Sequence, residues 1–96
     1  MNQYVEKNNV RYSELAFDKL VRLALKKYEV EIVNDKIIDI VDNELIVNAE
    51  VVLPNRVASI TQTMNIVKNE IQDSIFYFSA VTPKTIQIML KGMEGK

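Results

Sequence analysis

From Val57 to Phe78 an apolar residue recurs at three- and four-residue steps: Val57, Ile60, Met64, Val67, Ile71, Ile75 and Phe78. Neither glycine nor proline interrupts the chain between Asn55 and Ser79. That spacing puts the apolar side chains on one side of an α-helix. A one-sided apolar helix draws most of its stability from packing on another element, so this stripe dictates what the rest of the chain must supply. A heptad stripe also suits a coiled coil. This one lasts only about three heptads and has strand-like segments on both sides, which favours a sheet as its partner. Asn55, just after Pro54, is the expected N-cap, and Thr82-Pro83-Lys84 is the expected break.

The sheet is legible around it. Leu45, Val47, Ala49, Val51 and Leu53 alternate with Ile46, Asn48, Glu50 and Val52, the period of a strand with one face in a core. Before it, Ile37 to Val41 is a β-branched run, and Asp42-Asn43 between the two runs tolerates turn conformations. Val30 and Ile32 alternate with Glu29 and Glu31 as a short strand, followed by a turn at Asn34-Asp35-Lys36. Ile86, Ile88 and Leu90 alternate as a last strand. An earlier helix is expected over residues 13–27. Ser13 is its N-cap, Tyr12 and Phe17 are spaced as a hydrophobic staple, and Leu15, Phe17, Leu20, Val21, Ala24, Leu25 and Tyr28 form its apolar stripe.

The expected order is thus α-β-β-β-α-β. It makes an α+β two-layer sandwich: a mixed sheet of three or four strands, covered on one face by two helices. At 96 residues this is one domain, with residues 1–11 and 92–96 expected to be loose. Leu20, Val47, Val51, Ile60, Val67, Ile71 and Ile88 are the expected shared core.

Composition removes several kinds of chemistry. The chain has no cysteine and no histidine, so it has no thiol nucleophile, no histidine base and no Cys/His zinc site. Its two glycines, Gly92 and Gly95, lie beyond the last alternating segment. No phosphate loop between a strand and a helix is possible. The acids Glu29, Glu31 and Glu50, and Asp39, Asp42 and Glu44, lack the ladder of a calcium loop and are expected to be solvated. No enzymatic activity, catalytic residue, cofactor or metal is therefore expected. Twelve basic residues against thirteen acidic ones leave a net charge of −1, with no cationic face of the kind duplex nucleic acid requires. No apolar run approaches the roughly 20 residues of a membrane span, and no signal peptide is recognisable. A cytoplasmic protein is expected.

Three segments between about Val10 and Met93 carry a family resemblance. The first is Tyr12-Ser13-Glu14-Leu15-Ala16-Phe17-Asp18-Lys19-Leu20-Val21. The second is the long strand Leu45 to Leu53 running into Arg56-Val57-Ala58-Ser59-Ile60-Thr61-Gln62, with Val67-Lys68 and Ile71 beyond. The third is Ile86-x-Ile88-x-Leu90. Together they resemble the alkaline shock protein family, the envelope stress response proteins of Gram-positive bacteria and their relatives. The family usually has glycines after the first helix and at the hairpin turn. Here those places hold Tyr28 to Val33 and Asp42-Asn43, as in a divergent member. Asn, Ile and Lys make up 29 of the 96 residues, a bias that accompanies AT-rich coding DNA and fits a bacterial source. The resemblance implies a non-enzymatic cytosolic protein that self-associates, is held at the membrane by an anchored partner, and serves envelope homeostasis.

Two function classes remain. The first is a protein-interaction domain. Its expected surface combines Phe76 and Tyr77, which the stripe through Ile75 and Phe78 leaves outside, with Ile46, Val52 and Met89, which alternate opposite the core positions of their strands. Its expected partners are a membrane-anchored protein and further copies of the chain, without direct membrane insertion. The alternative is an RNA- or ribosome-associated factor, since the α–β–β–α–β order resembles KH domains. Those domains clamp RNA with a GXXG loop, which is missing here, and no aromatic residue occurs between residues 37 and 53 to stack on bases. No specific nucleic-acid partner is expected.

Overall fold

A computed structural model describes residues 3–94. In chain order the elements are β1 (Tyr4–Lys7), β2 (Val10–Ser13), α1 (Glu14–Lys26), β3 (Glu31–Ile32), β4 (Ile38–Val41), β5 (Glu44–Pro54), α2 (Ile60–Ser79) and β6 (Thr85–Glu94). The fold is α+β, with two helices packed on a mixed sheet.

β5 is the spine of that sheet. β6 runs parallel to it from Ile46↔Thr85 to Pro54↔Glu94. β4 and β3 pair antiparallel with its two halves, as in Ile38↔Val47 and Ile32↔Val51. Val47 and Val51 each have partners on both sides, so β3 and β4 share one flank of β5 and β6 occupies the other. Leu45, Val47, Ala49, Val51 and Leu53 are all buried, as their alternation requires. From the helices they meet Phe17, Val21 and Leu25 of α1, and Val67, Ile71 and Ile75 of α2. α1 lies over the β3/β4 side and α2 over β6.

β3 and β4 do not meet, and a side chain spans the gap between them. Asn34 Nδ2 donates to the carbonyls of Lys36 (3.0 Å) and Asn48 (2.9 Å), while its Oδ1 accepts from Glu50 N (2.9 Å). Asn34 thus supplies β5 with bonds that a continuous strand would have made. Above it, the Arg22 guanidinium bonds Asp18 and donates to the carbonyls of Asn34 (3.1 Å) and Asp35 (2.9 Å).

Ser13 caps α1 as expected: its Oγ accepts from Ala16 N at 3.1 Å. The staple also forms, with the Tyr12 and Phe17 rings 5.9 Å apart. The apolar stripe of α1 is narrower than expected, because Leu15 faces solvent. Four further expectations are corrected. Residues 4–13 are an antiparallel hairpin rather than a loose end. Asn8 and Asn9 both adopt positive φ, as a type I′ turn requires. Val5 is buried, and Asn43 of the β4–β5 turn exchanges bonds with the backbone of Glu6. Residues 92–94 likewise continue β6, while residues 1, 2, 95 and 96 lie outside those described. The cap of α2 is Ser59, whose Oγ accepts from Gln62 N, not Asn55. The helix therefore starts four residues later than a cap at Asn55 would place it, and Val57 belongs to the preceding loop. Ile60, expected in the core, is 44% exposed. It sits in the first turn of α2, while Lys27 and Tyr28, at the end of α1, bond α2 farther along, at Glu70. Leu20 and Ile88 are half-buried; Val47, Val51, Val67 and Ile71 are fully buried.

Candidate interaction surface

The C-terminal turns of α2 present three aromatic residues in a row. Phe78, expected in the core stripe, is 46% exposed; one side of its ring stands edge-on to Phe17 (6.2 Å) and Tyr12 (5.4 Å). Phe76 is 52% exposed and Tyr77 87%. Consecutive helical residues diverge by about 100°, so the two rings spread outward, 6.5 Å apart. Their flanks follow from Glu70, which faces α1 through Lys27 and Tyr28. Tyr77, seven residues on, returns to the same side of the helix. Phe76 leans the other way, over the β6 side, above the exposed Lys68 and Gln72.

The helix ends in a way that fixes these rings. Ala80 adopts positive φ, 62°, and its N–H bonds Phe76 O at 2.7 Å. Ser79 is buried; its Oγ donates to Ile75 O (2.8 Å) and accepts from Val81 N (3.1 Å). A left-handed residue other than glycine costs about 1–2 kcal/mol, which these bonds offset.

Ile46, Val52 and Met89 do not join the aromatic pair. They alternate with the buried Val47, Val51 and half-buried Ile88, and so project from the sheet face turned away from both helices. Nor do they form one apolar patch there. Ile46 and Val52 are half-buried, and between them come Asn48 beside Gln87 and Glu50 beside Met89. Glu50 also pairs with Lys91, at 3.9 Å. Met89 is 56% exposed within this polar band. The expected single surface is therefore two, separated by the thickness of the sheet and α2. Alternation identified the open face correctly, but it does not reveal that a helix end and that face point in opposite directions.

Elsewhere several charged groups pair with one another, among them Arg22 with Asp18 and Lys27 with Glu70. A depression lined by Ser13, Glu14, Asp18, Arg22, Asp35 and Lys36 holds Arg22, whose Nε and Nη2 donate to Asp18 and two carbonyls. At Glu70, burial raises the carboxyl pKa. Hydrogen bonds from Lys27, Tyr28 and Ser74, with the Lys27 charge, outweigh that effect and hold it below its ordinary value. Among the described residues, no three carboxylates gather as metal ligands would, and no helix is long and apolar enough to cross a membrane. Leu15 and Leu23, on the outer side of α1, are also exposed; of the two, only Leu15 belongs to the apolar stripe expected from the sequence.

Comparison of the chain with protein-family models, with curated proteins and with solved structures finds no match in any of the three.

Proposed function

We propose that this domain works by binding other proteins and performs no chemistry of its own. The observation that carries the proposal is the aromatic pair at the end of α2. Two large rings held outward on a capped, rigid helix end lose little conformational freedom on contact, and aromatic side chains dominate the energetics of protein interfaces. In the context the family resemblance implies, the partner is a membrane-anchored protein that recruits this cytoplasmic domain, and the process is envelope stress response or homeostasis. Self-association belongs to the same proposal.

The test is affinity capture from cells that natively make the protein, with the membrane fraction retained, using the wild-type chain and Tyr77→Lys. Tyr77 is so exposed that the variant should keep the wild-type fold, which circular dichroism checks. The expected result is a membrane-protein partner captured by the wild type and lost from the variant. Equal capture by both would remove the aromatic pair from the interface. Micromolar or tighter RNA binding at physiological salt would instead favour the KH-like alternative.

A further inference from the structure

We propose that the free edge of β6 pairs with the same edge of a second copy, antiparallel about a two-fold axis at Ile88. This rests on the protein-binding reading above and names one of its partners. The backbone fixes which groups are available. Asn48 N bonds Ile37 O, and Glu50 O accepts from Val33 N, so these residues of β5 turn their backbone groups toward the β3/β4 flank. Val47 and Ala49, between and beside them, turn theirs to β6. In a parallel ladder each bonds to the residues on either side of its register partner. The partners of Val47, Ala49 and Val51 are Ile86, Ile88 and Leu90. Those three residues therefore direct their own N–H and C=O groups outward, where β6 has no strand beside it among the described residues.

The sheet's two edges are treated differently. The β3/β4 edge consists of strands of two and four residues. Arg22 occupies the carbonyls between them. β6 has ten residues and stays regular from Thr85 to Leu90, where a bulge at Lys91 interrupts the register. A long regular edge is a template for another strand, and a bulge bearing lysine ends pairing. The core is also open on this side. The inward side chains of β5 are fully buried, whereas Ile86, Ile88 and Leu90 are only partly so.

Self-complementarity decides for a second copy. An antiparallel register that uses all three outward-facing residues pairs Ile86 with Leu90, Ile88 with Ile88 and Leu90 with Ile86. Each of these pairs exchanges two N–H···O=C bonds. On the helix side only apolar residues then face one another, extending the core across the axis. On the open side Gln87 meets Met89, so no like charges are opposed. The Phe76 flanks of the two α2 helices approach above the joint.

The open-side pair gives a register-specific test. The chain has no cysteine, and Gln87 and Met89 are exposed. Directly opposed residues of a non-hydrogen-bonded antiparallel pair lie about 4.5 Å apart at Cα, within disulfide reach. Diagonal neighbours lie roughly 7–8 Å apart, beyond it. Full-length Gln87→Cys and Met89→Cys are oxidised mildly, each alone and mixed in equal amounts. The expected result is a disulfide-linked dimer in the mixture and no such link in either variant alone, while the wild type sediments at twice 11.0 kDa. A monomeric wild type, or linkage no greater in the mixture than in the single variants, overturns the proposal. If linkage fails while Tyr77→Lys still abolishes partner capture, the edge is wrong and the protein-binding reading stands. Linkage with capture unaffected by Tyr77→Lys gives the converse.

Discussion

Replacing Asn34 with alanine tests the least regular part of the sheet. The substitution removes both Nδ2 donors, to Lys36 O and Asn48 O, and the Oδ1 acceptor of Glu50 N. A typical hydrogen bond contributes about 1 kcal/mol net. The two Nδ2 bonds are exposed enough for water to replace part of them, while Glu50 N is partly buried. The expected loss is about 2 kcal/mol. For a domain of this size it lowers the melting temperature by roughly 8–16 °C. Chemical denaturation followed by far-UV circular dichroism measures it, with the midpoint falling at unchanged slope. Asn34→Asp adds a second check. It keeps the acceptor but turns a carboxylate oxygen toward two carbonyls, which favours the protonated form in the folded state. That variant should therefore gain stability relative to wild type as pH falls. A loss below about 0.5 kcal/mol for Asn34→Ala, the range of ordinary surface substitutions, would refute the bridging role.

Ile71→Asp should unfold the domain by placing an unpaired carboxylate in the core. Ile60→Asp, at the exposed first turn of α2, should change stability by less than about 0.5 kcal/mol; thermal melts of the two variants decide. Glu70 has a folded-state pKa below its unfolded value. Its contribution is therefore present above the ordinary carboxyl value of 4.5 and lost as pH falls through the lowered one. Glu70→Gln should flatten the acid limb of the stability–pH profile, and an unchanged limb would contradict the assignment. Asn43→Gly keeps the positive φ of the turn but removes both bonds to Glu6, so amide exchange should quicken in residues 4–13 and stay unchanged in β5.

Where neighbours in the chain are neighbours in space, the sequence was readable. The alternation of Leu45 to Leu53 announces β5, and Ser13 with the Tyr12–Phe17 staple announces the start of α1. The errors arise where partners are distant. Val57 lies in helical phase with Val67 and Ile71, so the stripe appears to begin before the helix does, and Ser59 rather than Asn55 accepts from the first turn. The polar Asn8-Asn9 pair looked like a loose end. It is a tight turn whose strands are held by Asn43, more than thirty residues away. Asn34 looked like a turn residue, and only the break between β3 and β4 shows what its amide does. For the candidate surface, the stripe singled out Phe76 and Tyr77, and alternation singled out Ile46, Val52 and Met89. Neither period reveals that the two groups lie on opposite sides of the molecule, or that β6 ends up at an open edge.

We propose that the end of α2 is a protein-binding site. Photo-crosslinking in living cells tests it most directly, with a photoreactive amino acid at position 77 and, as a control, at the exposed Lys19 of α1. A discrete adduct with another protein is expected from position 77 and none from position 19. Adducts of the same pattern from both positions, or from neither, would contradict it.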